Sequence, residues 1–393
     1  MLPPPSTLGL GVSMTVGYGT LYYSFSVLAP EIAGEFGWAQ SFVFAIFSAG
    51  LLGGAFSAPI VGRLVDRFGA RPVLIAGSIA AAAALALMSL IANAWHFAVV
   101  TLLAEFVSLA VQYDAGFAAL AQRYGQAARS QITVVTLVAG FASTVFWPLI
   151  QWLLTMMSWR EVYLVLALLN LLIALPVHFL WPSHRPISEA AAGRDGAVDA
   201  PAGRSGPHLL LMGVSLSAGG FVLSATGASL LVLLGDAGFT PAVATLTGSL
   251  IGPSQVAARL IEYTRRHLIS PPVTGLIATG SMFAAFVLLL VAGVLPAVGI
   301  LLVFAVFFGI GQGLTSIIRG TLPLHYFGTA GYGKITGTLA SVRMVLSAAA
   351  PFTVIFLNEQ VGTPAAIFSL LAMAGLGLLA MIALARLPAG ERG

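Results

Sequence analysis

Three ionisable residues, Glu105, Asp114 and Arg343, lie inside long stretches of apolar sequence. A charge at the centre of a bilayer costs about 2.5 kcal/mol or more unless it faces water or an opposite charge, so such residues are candidates for function. A guanidinium group stays charged at any ordinary pH and offers a planar fork to a carboxylate. A buried carboxyl group can bind a proton or a cation according to its surroundings. Glu105 and Arg343 could therefore bind a proton and an organic anion.

Depth within the apolar stretches distinguishes these residues. Arg343 lies about eleven residues into its stretch and Glu105 about nine from the end of its own, which places both near the middle of a bilayer. Gln112 follows Glu105 by seven residues and shares its face of a continuous helix. We predict that Glu105, Gln112 and Arg343 bind substrate or a coupled proton. We expect Tyr22 and Gln312 to complete the pocket.

Other roles are open for the same side chains. Glu105 and Arg343 can form a structural ion pair, and a neutral Glu105 can bridge helices by hydrogen bonds alone. Tyr22 can equally pack against a neighbouring helix. Asp114 follows Glu105 by nine residues and would point to the opposite side of a continuous helix, about two turns from its end. We assign Asp114 a gating or structural role.

The elements that carry these residues are predicted membrane helices. The chain of 393 residues is 59% hydrophobic and 8% charged, against roughly 45–50% and 25% in soluble domains. Its mean hydropathy is +0.99. Twelve segments are long and apolar enough to cross a bilayer, which takes about 20 residues; they lie near 8–30, 39–62, 72–92, 96–122, 130–155, 161–181, 208–234, 239–262, 271–293, 296–319, 332–356 and 362–387. The sequence thus predicts an all-α membrane protein.

A polar stretch, 182–207, divides these segments into two sets of six. It is rich in Pro, Gly and Ala and has too little apolar surface to fold by itself. We predict a linker at 182–207 between an N-terminal six-helix bundle at 1–181 and a C-terminal six-helix bundle at 208–393.

Basic residues are concentrated on one side of the predicted helices. Because the number of helices is even, both termini and the linker share a side. Fifteen of the seventeen Lys and Arg residues fall there, whereas Arg160 falls on the opposite side. By the positive-inside rule the termini and the linker are cytoplasmic. Membrane topology therefore explains the basic composition, and we expect no nucleic-acid partner.

Catalytic, metal and cofactor sites are not expected in this chain. It contains no Cys, its six His residues lack the spacing of metal ligands, and no GxxxxGK[ST] phosphate loop is present. We therefore predict that the protein is not an enzyme and holds neither a metal nor a cofactor.

A charged motif, GRLVDRFGAR at Gly62–Arg71, separates the second and third segments, and a weaker copy, ARLIEYTRR, follows at Ala258–Arg266. The first motif resembles the loop signature of the major facilitator superfamily, in which Gly, Asp, Arg, Gly and a further basic residue recur in that order. The run GYGTLYYSFSVLAPEIAGEFGWAQS at 17–41 is similar to the monocarboxylate and oxalate/formate porter branch. The resemblance implies two pseudo-symmetric bundles and a secondary transporter that works by alternating access.

The motif is predicted to act as a cytoplasmic latch. Gly62 and Gly69 permit a tight turn and a close approach of helices, and Asp66 is an anion suited to a helix N-terminus. The resemblance implies that this N-terminus is the start of the eleventh helix, near Gly331–Gly337. It also implies that an acid in the fourth helix pairs with a basic residue of the loop. The gating residues are therefore predicted to be Gly62, Asp66, Arg67, Gly69, Arg71 and Asp114.

Three functions are compatible with these features. The leading one is proton-linked transport of a small organic anion similar to a monocarboxylate. The alternatives are efflux of a cationic or amphipathic compound, with Glu105 as its partner, and a membrane sensor or scaffold that does not transport. We expect a multi-pass monomer in the bacterial cytoplasmic (inner) membrane, with a small-molecule substrate and the lipid bilayer as its partners.

Overall fold

The computed structural model describes residues 3–124, 128–182, 206–265, 268–327 and 332–387. Within these residues every regular element is a helix, which confirms the predicted all-α class. The chain forms two compact units, Met1–Ala191 and Ala192–Gly393, whose boundary falls inside the polar stretch predicted as a linker. Most of that stretch lies outside the described residues, so the linker bounds 182–207 and the bundle bounds stay predictions.

The first unit has ten α-helices and two short π-helical segments within its described residues, and these cover the first six predicted membrane segments. The α-helices are α1 (Pro5–Tyr18), α2 (Ser24–Phe36), α3 (Gln40–Phe68), α4 (Ala70–Met88), α5 (Ala94–Ser108), α6 (Tyr113–Tyr124), α7 (Ala128–Ala139), α8 (Ala142–Leu154), α9 (Trp159–Leu169) and α10 (Leu175–Leu180).

The π-helical segments interrupt the first and the sixth predicted membrane helices. Gly19–Tyr23 joins α1 to α2, and Asn170–Ala174 joins α9 to α10. The two segments contact each other, because Asn170 Nδ2 donates a hydrogen bond to Thr20 Oγ1 at 2.9 Å. π-Helical turns are rare and occur frequently at functional sites.

The fourth predicted helix is not continuous, since a turn at 109–112 separates α5 from α6. The turn packs against glycines of two other helices. A Cβ atom at Gly17 of α1 would lie 2.8 Å from the carbonyl oxygen of Val111, and one at Gly77 of α4 would lie 2.8 Å from Ala110 Cβ. These close approaches hold the turn inside the unit. A second turn divides the fifth predicted helix between α7 and α8.

The second unit has six helices in its described residues, and they correspond to the last six predicted segments. They are α11 (Gly206–Asp236), α12 (Pro241–Arg265), α13 (Pro271–Val294), α14 (Val298–Phe327), α15 (Tyr332–Val361) and α16 (Thr363–Arg386).

Glycines of the GIGQG sequence join α14 to its neighbours. A Cβ atom at Gly313 would lie 2.5 Å from the carbonyl oxygen of Gln255 on α12, and one at Gly311 would lie 2.5 Å from Met282 Cγ on α13. Side chains at these positions would force the helices apart. In membrane helices, small residues at interfaces permit such close packing.

Eight helical stretches of the described residues are long and apolar enough to cross a membrane. They are Ala70–Met88, Ser130–Leu154, Trp159–Leu180, Gly206–Asp236, Pro271–Val294, Val298–Phe327, Ile335–Val361 and Thr363–Arg386, and two shorter apolar stretches are Gln40–Gly54 and Ala94–Ser108. The protein is therefore a multi-pass membrane protein. The total of twelve spans and the cytoplasmic side of the termini stay predictions.

The charged motif between α3 and α4 is mostly helical, because α3 continues to Phe68. Gly62 lies inside α3, and no described atom lies within 4 Å of the place where its Cβ would be. The expectation that Gly62 forms the turn is therefore wrong. The turn is at Gly69, whose φ of 86° and ψ of 159° strongly favour glycine.

Gln122 of α6 holds this turn by hydrogen bonds to both sides of it. Its Nε2 donates to the carbonyl oxygen of Val65 at 2.9 Å, and its Oε1 accepts from the backbone N–H of Ala70 at 3.0 Å. The amide therefore links the end of α3 to the beginning of α4.

We expect Gly69→Ala to destabilise the protein by about 1–3 kcal/mol, because alanine rarely adopts this backbone conformation. The measurement is the midpoint of thermal unfolding of the detergent-purified protein, followed by tryptophan fluorescence. Gly62→Ala is the matched control, and it should leave the midpoint unchanged or raise it slightly, since alanine is favoured within a helix. Equal midpoints for the two variants would contradict the assignment of the turn.

Candidate functional site

Glu105 lies on α5 with only 6% of its surface exposed. It packs against α3 where that helix has a glycine. A Cβ atom at Gly50 would lie 2.6 Å from Glu105 Cγ, so any larger residue there would displace the glutamate. Within the described residues the Glu105 carboxyl makes no hydrogen bond or ion pair.

A small cavity lies beside Glu105 inside the first unit. Its walls come from the first π-helical segment and from α2, α3, α4, α5 and α9. The space open to the centre of a water molecule is about 20 Å³, which is enough for about one water. Apart from Glu105 the polar lining consists of hydroxyl groups, those of Thr20, Ser24, Thr101 and Tyr163, and the other lining residues are apolar.

Gln112 and Asp114 do not share a continuous helix with Glu105. Gln112 lies in the turn before α6, and Asp114 is the second residue of α6. The helical-face geometry used to group Gln112 with Glu105, and to point Asp114 away, is therefore wrong. Gln112 is buried, with 9% of its surface exposed. The Asp114 side chain lies outside the described residues, so its gating role stays a prediction.

Tyr22 belongs to the first π-helical segment and contacts aromatic neighbours. Its ring lies 5.2 Å from the Tyr23 ring and 6.0 Å from the Phe47 ring, measured between centroids. Phe47 also stacks on Phe25 at 3.9 Å, and both of these phenylalanines line the cavity beside Glu105. Tyr22 is thus next to the cavity wall but does not line it.

Arg343 lies in the second unit on α15 and is half-buried. It also packs against a glycine of a neighbouring helix. A Cβ atom at Gly220 of α11 would lie 2.7 Å from Arg343 Cγ and 2.6 Å from Ser347 Oγ. In each unit, therefore, a glycine makes room for the charged side chain predicted to bind a ligand.

Gln312 lies on α14 between Gly311 and Gly313. Its Oε1 atom is buried and has no hydrogen-bond partner among the described residues, and the same holds for Ser347 Oγ on α15. A buried acceptor without a donor is costly. These two oxygens are therefore buried polar atoms without a partner in the described part of the second unit.

The predicted gating residues lie at the end of α3 and the start of α4. Arg67 is exposed, and its guanidinium carbon lies 5.1 Å from the centre of the Phe68 ring. Arg71 is half-buried in the first turn of α4. The Asp66 side chain and Gly331, at the beginning of its expected partner segment, lie outside the described residues. The latch stays a prediction.

A charged cluster joins α2, α9 and the connection before α5. Arg160 forms an ion pair with Glu35 at 2.5 Å and donates to the carbonyl oxygen of Ile91 at 2.8 Å. Trp159 Nε1 also donates to Glu35, at 2.6 Å. The Arg160 hydrogen bond, followed by that of Trp159, holds the pKa of Glu35 below its ordinary value. This cluster fixes one end of the first unit.

Several of these positions gave no signal in the sequence. Gly50 and Gly220 are two of 44 glycines, and no spacing relates them to Glu105 and Arg343. Tyr163 lies 58 residues from Glu105 along the chain. Such contacts depend on which helices become neighbours, so they could not be derived from helical periodicity.

Family comparison agrees with this fold. The model of the Major Facilitator Superfamily matches residues 11–351. The chain belongs to the major facilitator superfamily. Members of this superfamily are transporters, so the expectation that the protein is not an enzyme is confirmed.

Curated relatives of this superfamily member include two mammalian proteins. Monocarboxylate transporter 13 of Bos taurus is 26% identical over 335 residues, which cover 84% of this chain and 74% of the relative. Monocarboxylate transporter 13 of Rattus norvegicus is 27% identical over the same shares of the two chains.

Solved structures of the superfamily share the fold at low sequence identity. The D-xylose-proton symporter has a TM-score of 0.73 with 15% identity, over 98% of this chain and 97% of the other. The nucleoside transporter NupG has a TM-score of 0.71 with 14% identity, over 97% and 98%. At these identities the likeness concerns the fold alone.

We expect Gly50→Ala to destabilise the first unit by about 1–3 kcal/mol, because the added methyl group overlaps Glu105. The measurement is the thermal unfolding midpoint. Gly53→Ala on the same helix is the matched control, since no described atom lies within 4 Å of its Cβ position. Combining Gly50→Ala with Glu105→Ala should recover part of the loss, because the overlapping Cγ is removed. Additive losses would contradict the contact.

Proposed function

We propose that this superfamily member carries out proton-linked transport of a small organic anion, similar to a monocarboxylate, by alternating access. The observation that carries the proposal is Arg343, a cation in the middle of a membrane-spanning helix, half-buried against Gly220. An arginine in this position is suited to bind a carboxylate through two parallel hydrogen bonds. The relatives named monocarboxylate transporter 13 support an anionic substrate.

Glu105 is the proposed proton-binding residue. Its carboxyl is buried beside a small cavity lined by apolar side chains and hydroxyl groups, with no cation partner among the described residues. Binding of a proton neutralises the negative charge of the carboxylate, and a proton requires no cavity volume of its own. Gln112, Tyr22 and Gln312 are proposed as further polar or aromatic contacts around these two residues.

Charge balance provides a physical reason for coupling. With both ligands absent, Glu105 and Arg343 carry one negative and one positive charge, which sum to zero, and with a proton and a monovalent anion bound the sum is again zero. A transporter that holds only the proton or only the anion has an unbalanced charge in a low-dielectric interior, which is costly. The empty transporter and the transporter with both ligands bound therefore reorient more readily than the forms with one ligand. This favours transport of one proton with one monovalent anion.

Efflux of a cationic compound is a weaker second proposal. It would use Glu105 as the partner of the cation, and aromatic side chains do line the neighbouring cavity. The cavity within the described part of the first unit has room for about one water, however, which is too small for an organic cation. A proton fits this site better.

The motif at the end of α3 is proposed to be a cytoplasmic latch. In this proposal Asp66 binds the start of α15 in one state, with Arg67, Arg71 and Asp114 in the same charged network, and Gly69 forms the turn. The contact must break when the cytoplasmic side opens. The bacterial inner membrane and a monomeric state stay predictions.

We expect Arg343→Ala to lower anion uptake at least about tenfold, because loss of a hydrogen-bonded charge pair costs about 1.5–3 kcal/mol. The measurement is uptake of radiolabelled lactate, pyruvate, formate and oxalate into proteoliposomes under an imposed pH gradient, with ethidium as the cationic probe. Arg386→Ala, at the exposed end of α16, is the matched control for Arg343→Ala.

In the same assay, Glu105→Gln should abolish the acceleration of anion uptake by the pH gradient, while exchange of internal for external anion continues. Unchanged anion uptake in Arg343→Ala would remove that residue from the site.

We expect Asp66→Asn to favour the state that is open to the cytoplasm, because an uncharged amide binds a helix N-terminus more weakly. The chain has no Cys, so single cysteines can be introduced without a background. Their rates of labelling by a membrane-impermeant maleimide, from each side of oriented vesicles, should change by about fivefold, the low end of typical coupling energies. Asp236→Asn serves as the control. Labelling rates and transport that do not change in Asp66→Asn would refute the latch.

A further inference from the structure

Four hydroxyl groups line the cavity beside Glu105, and two of them donate to backbone carbonyl oxygens. Thr20 Oγ1 donates its proton to the carbonyl oxygen of Val16 at 2.8 Å, and Ser24 Oγ donates to the carbonyl oxygen of Thr20 at 2.6 Å. These two hydroxyl groups can therefore only accept hydrogen bonds from the cavity.

Thr101 and Tyr163 differ from the other two hydroxyl residues. Thr101 is 3% exposed, and its hydroxyl donates to the sulfur of Met88 at 3.9 Å, its one hydrogen bond among the described residues; sulfur is a weak acceptor. Tyr163 is 2% exposed, and its hydroxyl has no hydrogen-bond partner among the described residues. Two buried O–H groups thus remain without an oxygen acceptor on the wall of one cavity.

Glu105 is a third buried group on this wall whose side chain has no oxygen or nitrogen partner among the described residues. No direct hydrogen bond joins its carboxyl to Thr101 or Tyr163, although all three line the same cavity. A bound water usually makes two to four hydrogen bonds, and it needs about 10–15 Å³ of space for its centre. The cavity has about 20 Å³, and Glu105, Thr101 and Tyr163 on its wall can each form a hydrogen bond with a water, so both requirements are met.

We propose that this cavity is a hydrated proton-binding site, in which one water molecule is bound by the Glu105 carboxyl and the hydroxyl groups of Tyr163 and Thr101. The two hydroxyl groups position the water, and the water hydrogen-bonds to the carboxyl in both of its protonation states. Tyr163 and Thr101 are thus positioning residues for the proton. This inference rests on the proposed function for the role of Glu105, but it concerns the site rather than the substrate.

The second π-helical segment supports the wall of this site. Asn170, the first residue of this segment, is fully buried and donates to Thr20 Oγ1, which makes Thr20 a fixed part of the cavity lining. Tyr163 lies seven residues before Asn170, on α9. Helix α9 and the π-helical segment that follows it therefore carry the positioning tyrosine and the amide that holds Thr20 in the cavity lining.

Infrared spectroscopy of the purified protein in lipid tests this site without a substrate. The C=O stretching band of protonated Glu105 is identified by its loss in Glu105→Gln and is then followed as pH is varied. We expect Tyr163→Phe and Thr101→Val each to raise the frequency of this band and to move its titration midpoint about one pH unit upward. The reason is that the bound water donates to the carboxylate and so favours its ionised form. Without either hydroxyl group the water is no longer held in place, and the loss of its hydrogen bond is equivalent to about one pH unit.

Matched controls come from hydroxyl groups of the second unit. Thr226→Val and Tyr326→Phe remove hydroxyls that donate to the backbone carbonyls of Val222 and Leu384, and they should leave the band and the midpoint unchanged. In H₂¹⁸O the wild-type protein should show a shifted O–H band of bound water that is missing in Tyr163→Phe.

The outcomes separate this site from the transport proposal. If the band responds as expected while no tested anion moves with protons, the site stands and the proposed substrate and coupling fail. If the band and its midpoint are the same in wild type, Tyr163→Phe and Thr101→Val, the site is refuted even where transport is proton-driven. Should Tyr163→Phe not fold, the result with Thr101→Val decides.

Discussion

Close approach of helices at glycine residues is the constraint on which the rest of this structure depends. In a bilayer, apolar side chains gain little by leaving lipid for protein, so helices associate where small residues let backbones and side chains meet. Gly17 and Gly77 hold the turn between α5 and α6, and Gly311 and Gly313 join α14 to its neighbours. Both charged candidates depend on the same feature, since Gly50 makes room for Glu105 and Gly220 for Arg343.

Buried hydroxyl groups respond to the same apolar surroundings. Most of them donate to the carbonyl oxygen of the preceding helical turn, as Thr20, Ser24, Thr226 and Thr279 do. This pattern satisfies each donor within its own helix. The few groups that depart from it are therefore informative. His178 contacts the hydroxyls of Ser13 and Ser78 and so links α10 with α1 and α4. The hydroxyls of Tyr163 and Thr101 instead line the cavity beside Glu105 and have no oxygen acceptor among the described residues.

Each unit contributes one kind of charge to the proposed transport cycle. The first unit contains the buried acid and its cavity, and the second contains the cation together with the unsatisfied oxygens of Gln312 and Ser347. Coupling of proton and anion transport in this proposal needs no direct contact between Glu105 and Arg343. It follows from the cost of moving an unbalanced charge through a low-dielectric interior. Proton binding and anion binding can thus occur in separate places.

The sequence by itself determined the all-helical membrane class, the superfamily and the presence of rare charges within apolar segments. These follow from composition, segment length and a local motif, all of which are readable along one chain. Tertiary structure alone decided that α5 and α6 are separate, that α3 extends through Gly62 to Gly69, and that Tyr163 and Thr101 share a cavity with Glu105. These features arise from contacts between distant segments, such as Gly77 with the turn at 109–112. Periodicity assumes a continuous helix and carries no information about which neighbour interrupts it.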